Sequence, residues 1–346
     1  MVVLLIAAYV YYLSLYGWMV AQFVWGDRWW WLFLLNCFAV YLFLPLPGMV
    51  VIALFGGRPE LWAASLVAVA LALYRYAGLF LLKNRYIGAG ERKLTIMTYN
   101  LLGPNPARDA ALATLQAANV DVIALQELNP AVAAAVHARL SDRFPYQLLD
   151  PQHGVTGMGV ISRYPLHTTG QQIPGAWLGS PQVVCLDYHG TPVTLVNVHC
   201  VSVEFDGWNA RAKVEWSIGE RERQATALAE FAAAQPGPLI ALGDFNTAEQ
   251  STAYQCITRR LHDAWRAAGH GLGHTFPGAD SPGSARPVIA GVKAPLWLIR
   301  IDYIFYSSHW RPLAAWLGPG TGSSDHRPVV AHLALTEQAR QPAGGA

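Results

Sequence analysis

Pro-Leu-Ile-Ala-Leu-Gly-Asp-Phe-Asn-Thr, residues 238–247, is a short apolar run that ends abruptly in polar groups. Leu239, Ile240, Ala241 and Leu242 are continuous in hydrophobicity, as a strand covered on both faces must be. Gly243 lets the backbone turn or approach a ligand closely, so Asp244 and Asn246 project from a rigid base. Taken alone, Gly243 to Asn246 reads equally well as a plain strand-to-loop turn.

The same arrangement recurs along the chain, and the recurrence separates the two readings. Strand-like runs end in Tyr99-Asn100, Gln126-Glu127, Asn197-Val198-His199 and Ile301-Asp302-Tyr303, and Ser323-Ser324-Asp325-His326 precedes a last strand at Val329 to Leu335. Each group alone also fits a cap, a turn or a satisfied core histidine. Six of them in one domain point to a site. Further strands are expected at Tyr146 to Leu149, Gly159 to Ser162, Val183 to Tyr188 and Val193 to His199, the last two joined at His189-Gly190-Thr191-Pro192 into a hairpin. Helices are expected at Ala107 to Asn119, Pro130 to Leu140 and Glu220 to Ala234. Strands predominate and helices do not alternate regularly with them, which indicates α+β layers with mixed sheets rather than a doubly wound parallel sheet.

The front of the chain has a different composition. Residues 1–82 hold only Asp27, Arg28, Arg58, Glu60 and Arg75 as charges. Val2 to Val24 has none, and about 20 apolar residues at 1.5 Å rise span the roughly 30 Å hydrocarbon core of a bilayer. A cleaved signal peptide is the rival reading. It lacks a basic start and a small-residue cleavage site, and two more apolar segments follow. Those are Trp30 to Phe55, expected to kink in its last third at Pro45 and Pro47, and Leu61 to Leu82, expected to end near Arg75, which can snorkel to the interface. Trp25, Trp29, Trp30 and Trp31 resemble an interfacial aromatic belt. The expected organisation is a membrane region of three transmembrane helices at 1–85, a linker at 86–92, a catalytic domain at 93–336 and a disordered tail at 337–346. The protein is thus read as a multi-pass integral membrane protein with its N-terminus and catalytic domain on opposite sides. Arg75, Lys83, Arg85, Arg92 and Lys93 after the last span favour a cytoplasmic domain.

From Glu91 onward 19 Lys and Arg stand against 20 Asp and Glu. A domain gripping long nucleic acid through many phosphates is normally more positive. Cys37, Cys185, Cys200 and Cys256 show no metal-type spacing, and Cys185 and Cys200 fall out of register in their hairpin, so no disulfide framework is expected. His270 and His274 are four apart, but Gly269, Gly271 and Gly273 argue against the helix a zinc pair would need. No Gly-x-Ser-x-Gly elbow supports a serine triad at Ser323 and Ser324.

In this order and with these flanks, the polar groups resemble those of the endonuclease/exonuclease/phosphatase superfamily, whose members include deoxyribonuclease I-like nucleases and bacterial sphingomyelinases. The resemblance covers Lys93 to Leu335 and rests most specifically on residues 243–246 and 324–328, supported by Gln126-Glu127, residues 300–303 and His274-Thr275-Phe276-Pro277. It implies a four-layer sandwich, two mixed β-sheets face to face with helices outside and the site at one end. It also implies Glu127 as the main ligand of a divalent cation, with Asn100 and Asp325 beside it. Hard oxygen donors suit Mg²⁺, with Mn²⁺ as a substitute. His326, oriented by Asp302, would activate the attacking water. Asp244 and Asn246 would hold the nucleophile and a phosphoryl oxygen, and His199 would sit on the scissile phosphate. The base is either His326 or Asp244.

The reaction so implied is hydrolysis of a phosphodiester at the membrane, a lipid headgroup or other small diester being favoured. An anchored endonuclease or exonuclease is the alternative, and an inactive binding module on the same fold is a third reading, opposed by the filling of every required acidic and imidazole position. The bilayer and the phosphodiester, lipid or nucleic acid, are the expected partners, with no obligate protein partner. Val201 to Gly219, carrying Phe205, Trp208 and Trp216, is expected as an aromatic loop beside the site, resting either on headgroups or on its own domain.

Overall fold

The computed structural model describes residues 1–81, 83, 92–105, 107–203, 209–279, 284, 286, 288–289 and 291–337. Most of the expected linker, Phe205 and Trp208 of the expected aromatic loop, and the tail beyond residue 337 lie outside them.

The chain opens with helices α1 (Val2–Trp25), α2 (Trp30–Cys37), α3 (Leu46–Gly56) and α4 (Pro59–Ala72), with a 3₁₀ turn (Ala39–Phe43) before α3 and a π turn (Leu73–Ala77) after α4 that runs into α5 (Gly78–Phe80). Among the described residues, three continuous segments are long and apolar enough to cross a membrane: Val2–Trp25, Ala39–Gly56 and Pro59–Phe80. Their outward faces carry exposed apolar side chains such as Val3, Ile6, Leu13, Phe23, Leu54, Phe55 and Leu66. Inward, Ala8, Ala53 and Ala68 let the helices approach, and Tyr12 and Ser65 share a 2.6 Å hydrogen bond.

The second expected segment is divided differently from its sequence reading. The break falls at Phe38, ahead of the prolines, which instead open α3 where a missing N–H costs little. Trp30–Cys37 is thereby released from the span. It packs Phe33 against Val214 and Ile218 of the globular part.

That part comprises β1 (Leu94–Asn100), α6 (Arg108–Ala117), β2 (Val122–Gln126), α7 (Pro130–Leu140), β3 (Tyr146–Asp150), β4 (Met158–Ser162), β5 (Leu166–Thr168), β6 (Gly179–Tyr188) and β7 (Thr191–His199). There follow α8 (Ala210–Ala234), β8 (Leu239–Asp244), α9 (Thr252–Thr258), β9 (His262–Asp263), α10 (Ala264–Ala268), a small hairpin β10 (Val288–Ile289) and β11 (Val292–Lys293), β12 (Asp302–Tyr306), β13 (Trp310–Leu317) and β14 (Val329–Leu335). Helix starts obey local chemistry: Pro130 occupies the first turn of α7 while Asn129 accepts from Val132 N at 2.9 Å, and Asp263 caps α10. Helix α8 begins at Ala210, not Glu220, so Trp216 stands exposed on a helix rather than on a loop.

Two six-stranded mixed sheets, β13-β14-β1-β2-β4-β3 and β5-β6-β7-β8-β12-β9, form the frame. Strands β1, β2 and β8 are buried at every position, as the apolar runs of β2 and β8 require, and in β1 Thr95 and Thr98 are bonded to His332 and Gln126. Helices α6 and α7 cover one sheet, with Leu112, Leu115 and Val136 in its core cluster, and α8 and α9 cover the other through Leu228 and Ile257. Between the sheets, Gln126 Nε2 donates to Asn197 Oδ1 at 2.7 Å, and Asn197 Nδ2 donates to the carbonyls of Leu125 and Gly159 at 3.1 Å. This buried amide pair fixes the sheets against each other just behind the strand ends.

The helical front end is fastened to the globular part by polar contacts. Gln22 Nε2 donates to Gln250 O (3.0 Å), and Arg75 Nη1 donates to both Gln22 Oε1 (2.9 Å) and Gln250 Oε1 (3.0 Å). Asp27 Oδ2 accepts from Thr252 N (2.7 Å), Asp27 N donates to Thr252 Oγ1 (3.1 Å), and Tyr41 OH donates to Leu298 O (2.8 Å). At the opposite end of the helices Tyr9 is bonded to Glu60.

Candidate active site

Strand register assembles the site. His199 pairs with Asp244 across parallel β7 and β8, and Asp244 pairs with Asp302 across antiparallel β8 and β12, so three site residues stand side by side at one end of the second sheet. The close approach of β7 demands Gly243, which has φ 148°. A Cβ there would lie 1.9 Å from Val198 O. From the first sheet, Asn100 ends β1 paired with Gln126, and Glu127 follows with φ 56°.

Asp244 is the hub. Its Oδ2 accepts from Asn100 Nδ2 at 3.0 Å and lies 3.6 Å from His199 Nε2 and 3.7 Å from His326 Nε2, while Oδ1 accepts from Asn246 N at 2.9 Å. Asn100 Nδ2 also donates to Glu127 Oε1 at 3.0 Å, and Glu127 Oε2 accepts from Gly103 N at 2.8 Å. His326 Nδ1 donates to Asp302 Oδ2 at 2.9 Å. Asp325 Oδ1 is 4.0 Å from His326 Nε2, and its Oδ2 accepts from Ser284 Oγ at 2.6 Å. The eight expected residues therefore converge, with Asn246 turned so that its Nδ2 donates to Cys200 O at 3.0 Å.

Burial sets the charge states. It lifts the Asp244 carboxyl to about 7 against the pull of His326, and it raises Glu127 above the usual carboxylate range. Burial works against the charge on His326, but Asp302 and Asp244 outweigh it and hold this imidazole well above 6.5. Burial, reinforced by charge on His326, pushes His199 down to about 3. The pair of histidines is thus split into one charged and one neutral ring, the pattern expected of acid and base partners.

The His199 shift carries a stability consequence in metal-free protein. Below 6.5 the unfolded chain binds a proton that folded His199 refuses, so its contribution is complete above 6.5 and declines as pH falls toward 3, by up to about 1.4 kcal/mol per unit. Asp244 and Glu127, both raised, act in the opposite sense on the acid side of neutrality. The difference between His199→Asn and the parent chain isolates the histidine. In chelator, denaturant unfolding between pH 6.5 and 4 is expected to show the variant gaining relative stability as pH falls. A constant difference would contradict a neutral His199.

The donors suit a hard divalent cation. Asp244, Asp302 and His326 present ligand atoms within 4.8 Å of one another, and Glu127 and Asp325 add carboxylates beside them. Asn100 Oδ1 instead accepts from Leu102 N at 3.0 Å. Serving as a ligand would require its amide to turn over and give up that bond.

Residues 97–326 match the model of the Endonuclease/Exonuclease/phosphatase family, which is two thirds of the chain and spans every residue of the site. The chain belongs to this family. Its members hydrolyse phosphoester bonds and generally use divalent metals. Similar folds occur in D. rerio TDP2 complexed with single strand DNA product (17% identity, TM-score 0.54, 70% of this chain and 99% of that one) and in truncated Caenorhabditis elegans TDP2 (18%, 0.53, 70% and 97%). Sphingomyelinase C from Streptomyces griseocarneus is also similar (19%, 0.47, 70% and 99%). No match was found among curated proteins.

Two supporting groups had no role in the sequence reading. Ser284 belongs to no motif. Ser324 Oγ donates to Asn100 O at 2.7 Å and accepts from His326 N at 3.1 Å, tying two site segments together, and its place beside Asp325 was the available signal.

Proposed function

We propose that the chain is a membrane-anchored, Mg²⁺-dependent phosphodiesterase acting on a lipid headgroup or another small phosphodiester. The observation that carries this reading is Asp244 within 3.7 Å of two buried histidine rings, one of them backed by Asp302. The proposed organisation is a membrane region at 1–85, a linker at 86–92 and a catalytic domain at 93–336, with the basic residues after the third segment favouring a cytoplasmic site.

Glu127, Asn100 and Asp325 would hold the cation, with Asp244 near. When bound, the cation neutralises charge on the phosphoryl and leaving oxygens. Asp302 keeps the His326 ring in one orientation with Nδ1 as donor and Nε2 facing the reacting centre. Asp244 receives the proton of the attacking water while His326 stays charged, with Nε2 3.7 Å from Asp244 Oδ2; the alternative base is His326 Nε2, and it serves only from the neutral ring. His199, neutral and buried, hydrogen-bonds a phosphoryl oxygen through Nε2. The near-neutral charge of the catalytic part and the seating of the membrane helices on the loops next to Asp244 and Asp302 support a substrate held in the bilayer.

The test is hydrolysis by detergent-purified protein, with Mg²⁺ or with chelator, of plasmid DNA and of mixed phospholipid and sphingolipid vesicles in parallel. Chelator-sensitive headgroup release with intact plasmid is expected. Nicked plasmid with untouched lipid would make the protein an anchored nuclease.

A further inference from the structure

A simple tether has no use for polar side chains in its apolar helices, yet Gln22, Tyr41 and Arg75 all bond to the catalytic part. Tyr41 is the most informative of them, because of what it holds. Residues 274–277 and 297–299 form a small ladder: Thr275 N and Phe276 N donate to Ile299 O (2.8 and 3.0 Å), Ile299 N donates to Phe276 O (3.0 Å), and Trp297 N donates to Pro277 O (2.8 Å). On one side Tyr41 grips this ladder, donating to Leu298 O at 2.8 Å with its ring 6.0 Å from that of His274. His274 Nδ1 in turn donates to Trp297 O at 2.8 Å.

The other side of the ladder carries the catalytic pair. Thr275 Oγ1 accepts from Ile301 N (3.2 Å) and Asp302 N (3.4 Å), and Thr275 O accepts from Arg327 N (3.0 Å), next to His326. The Phe276 ring lies 5.0 Å from the His326 ring. One short ladder thus separates a side chain of the second membrane-length segment from the Asp302–His326 pair.

We infer that Tyr41 is a positioning residue for His326 and Asp302, and that the docked helices are part of the scaffold of the active site. The kinetic part of the test rests on the phosphodiesterase reading; a second readout does not. Full-length protein in nanodiscs with Mg²⁺ is assayed on bis(p-nitrophenyl) phosphate as the parent chain, Tyr41→Phe and Tyr41→Ala. Misplacing a reacting group by about 1 Å costs on the order of 100-fold, so Tyr41→Ala is expected to lower kcat by about 10- to 100-fold with KM within about twofold. Tyr41→Phe keeps the ring on His274 but loses the hydroxyl's bond to Leu298 O and its 3.3 Å contact with His274 Nδ1, and is expected to lower kcat by about three- to tenfold, less than Tyr41→Ala.

In ¹³C-histidine-labelled protein, the His326 ring resonance is expected to move in Tyr41→Ala while those of His189 and His309 stay. Unchanged kcat and an unmoved His326 signal would overturn the inference, as would a rise in KM at constant kcat. Should Tyr41→Ala fail to fold, Tyr41→Phe decides: a reduced kcat with a moved His326 signal supports the inference, and parent behaviour overturns it. A moved signal in a protein that hydrolyses no phosphodiester would refute the proposed activity and leave the positioning role standing.

Discussion

Asp244→Ala is expected to reduce Mg²⁺-dependent phosphodiester hydrolysis by at least about a thousandfold while the protein remains folded. The carboxylate accepts from Asn100 and lies within 3.7 Å of both His199 and His326, so its loss removes the negative group that both histidines face, next to the proposed cation ligands. Stability should suffer little, because a carboxyl lifted to about 7 by burial contributes an unfavourable charge at neutral pH. His326→Ala is expected to abolish turnover equally but to cost stability as well, since it strips Asp302, fully buried, of its charged partner. The double variant should be no less active than either single one, as groups that act as a unit are strongly non-additive. Turnover of chelator-treated and Mg²⁺-loaded protein checks this, beside a thermal transition to certify folding. A folded Asp244→Ala or His326→Ala chain with undiminished activity would remove these residues from the proposed machinery.

Much of this was legible because strands that end in chemistry leave a local mark. The four apolar residues before Gly243 and the run before Gln126 are continuous because both faces of each strand are covered, and the polar residue that follows is therefore held at one end of its sheet, whereas Asp302 opens β12 and its apolar run comes after it. Register was not legible. Nothing local to His199 indicates that it lies beside Asp244 rather than one strand away; that follows from the parallel pairing of β7 with β8, which the Gly243 close approach permits. The boundary of the second membrane-length segment was misplaced for a related reason. Trp30–Cys37 is as apolar as a span, and only the packing of Phe33 on Val214 and Ile218, nearly 200 residues away, assigns it to the globular part. Helix α8 likewise extends forward to Ala210 because Val214 and Ile218 are buried against α2, a tertiary contact that overrides a polar, aromatic-rich local sequence.

Arg300→Met is expected to destabilise the protein by about 3–5 kcal/mol, the cost of leaving buried carboxylates without their cation. In sequence Arg300 is only the residue before Ile301 and Asp302; its partners come from elsewhere. Nη1 and Nη2 donate to the two oxygens of Asp263 at 3.1 and 2.6 Å, Nε donates to Glu249 Oε1 at 3.1 Å, and the guanidinium lies 4.4 Å from the centre of the Tyr303 ring. Burial alone would raise the Asp263 carboxyl, but the Arg300 charge outweighs it and holds that group below the usual range. Removing the guanidinium reverses the balance, while Glu249 keeps Arg266 at 2.7 Å. Asp263 also caps α10 and accepts from Tyr254, so three elements loosen together. Arg266 in turn donates to Arg75 O at 2.8 Å, so the same network reaches the helical front end. The loss should show as a lowered denaturant midpoint in detergent, and because Arg300 leads directly into Asp302 it should lower kcat as well. Pairing Arg300→Met with Asp263→Asn is expected to recover a large part of the stability, since a neutral amide does not need the cation. If Arg300→Met alone shifts stability by less than about 1 kcal/mol, the ion pair is not what holds the Asp302 strand against the helical front end, and the apolar packing around Trp265 must be doing so instead.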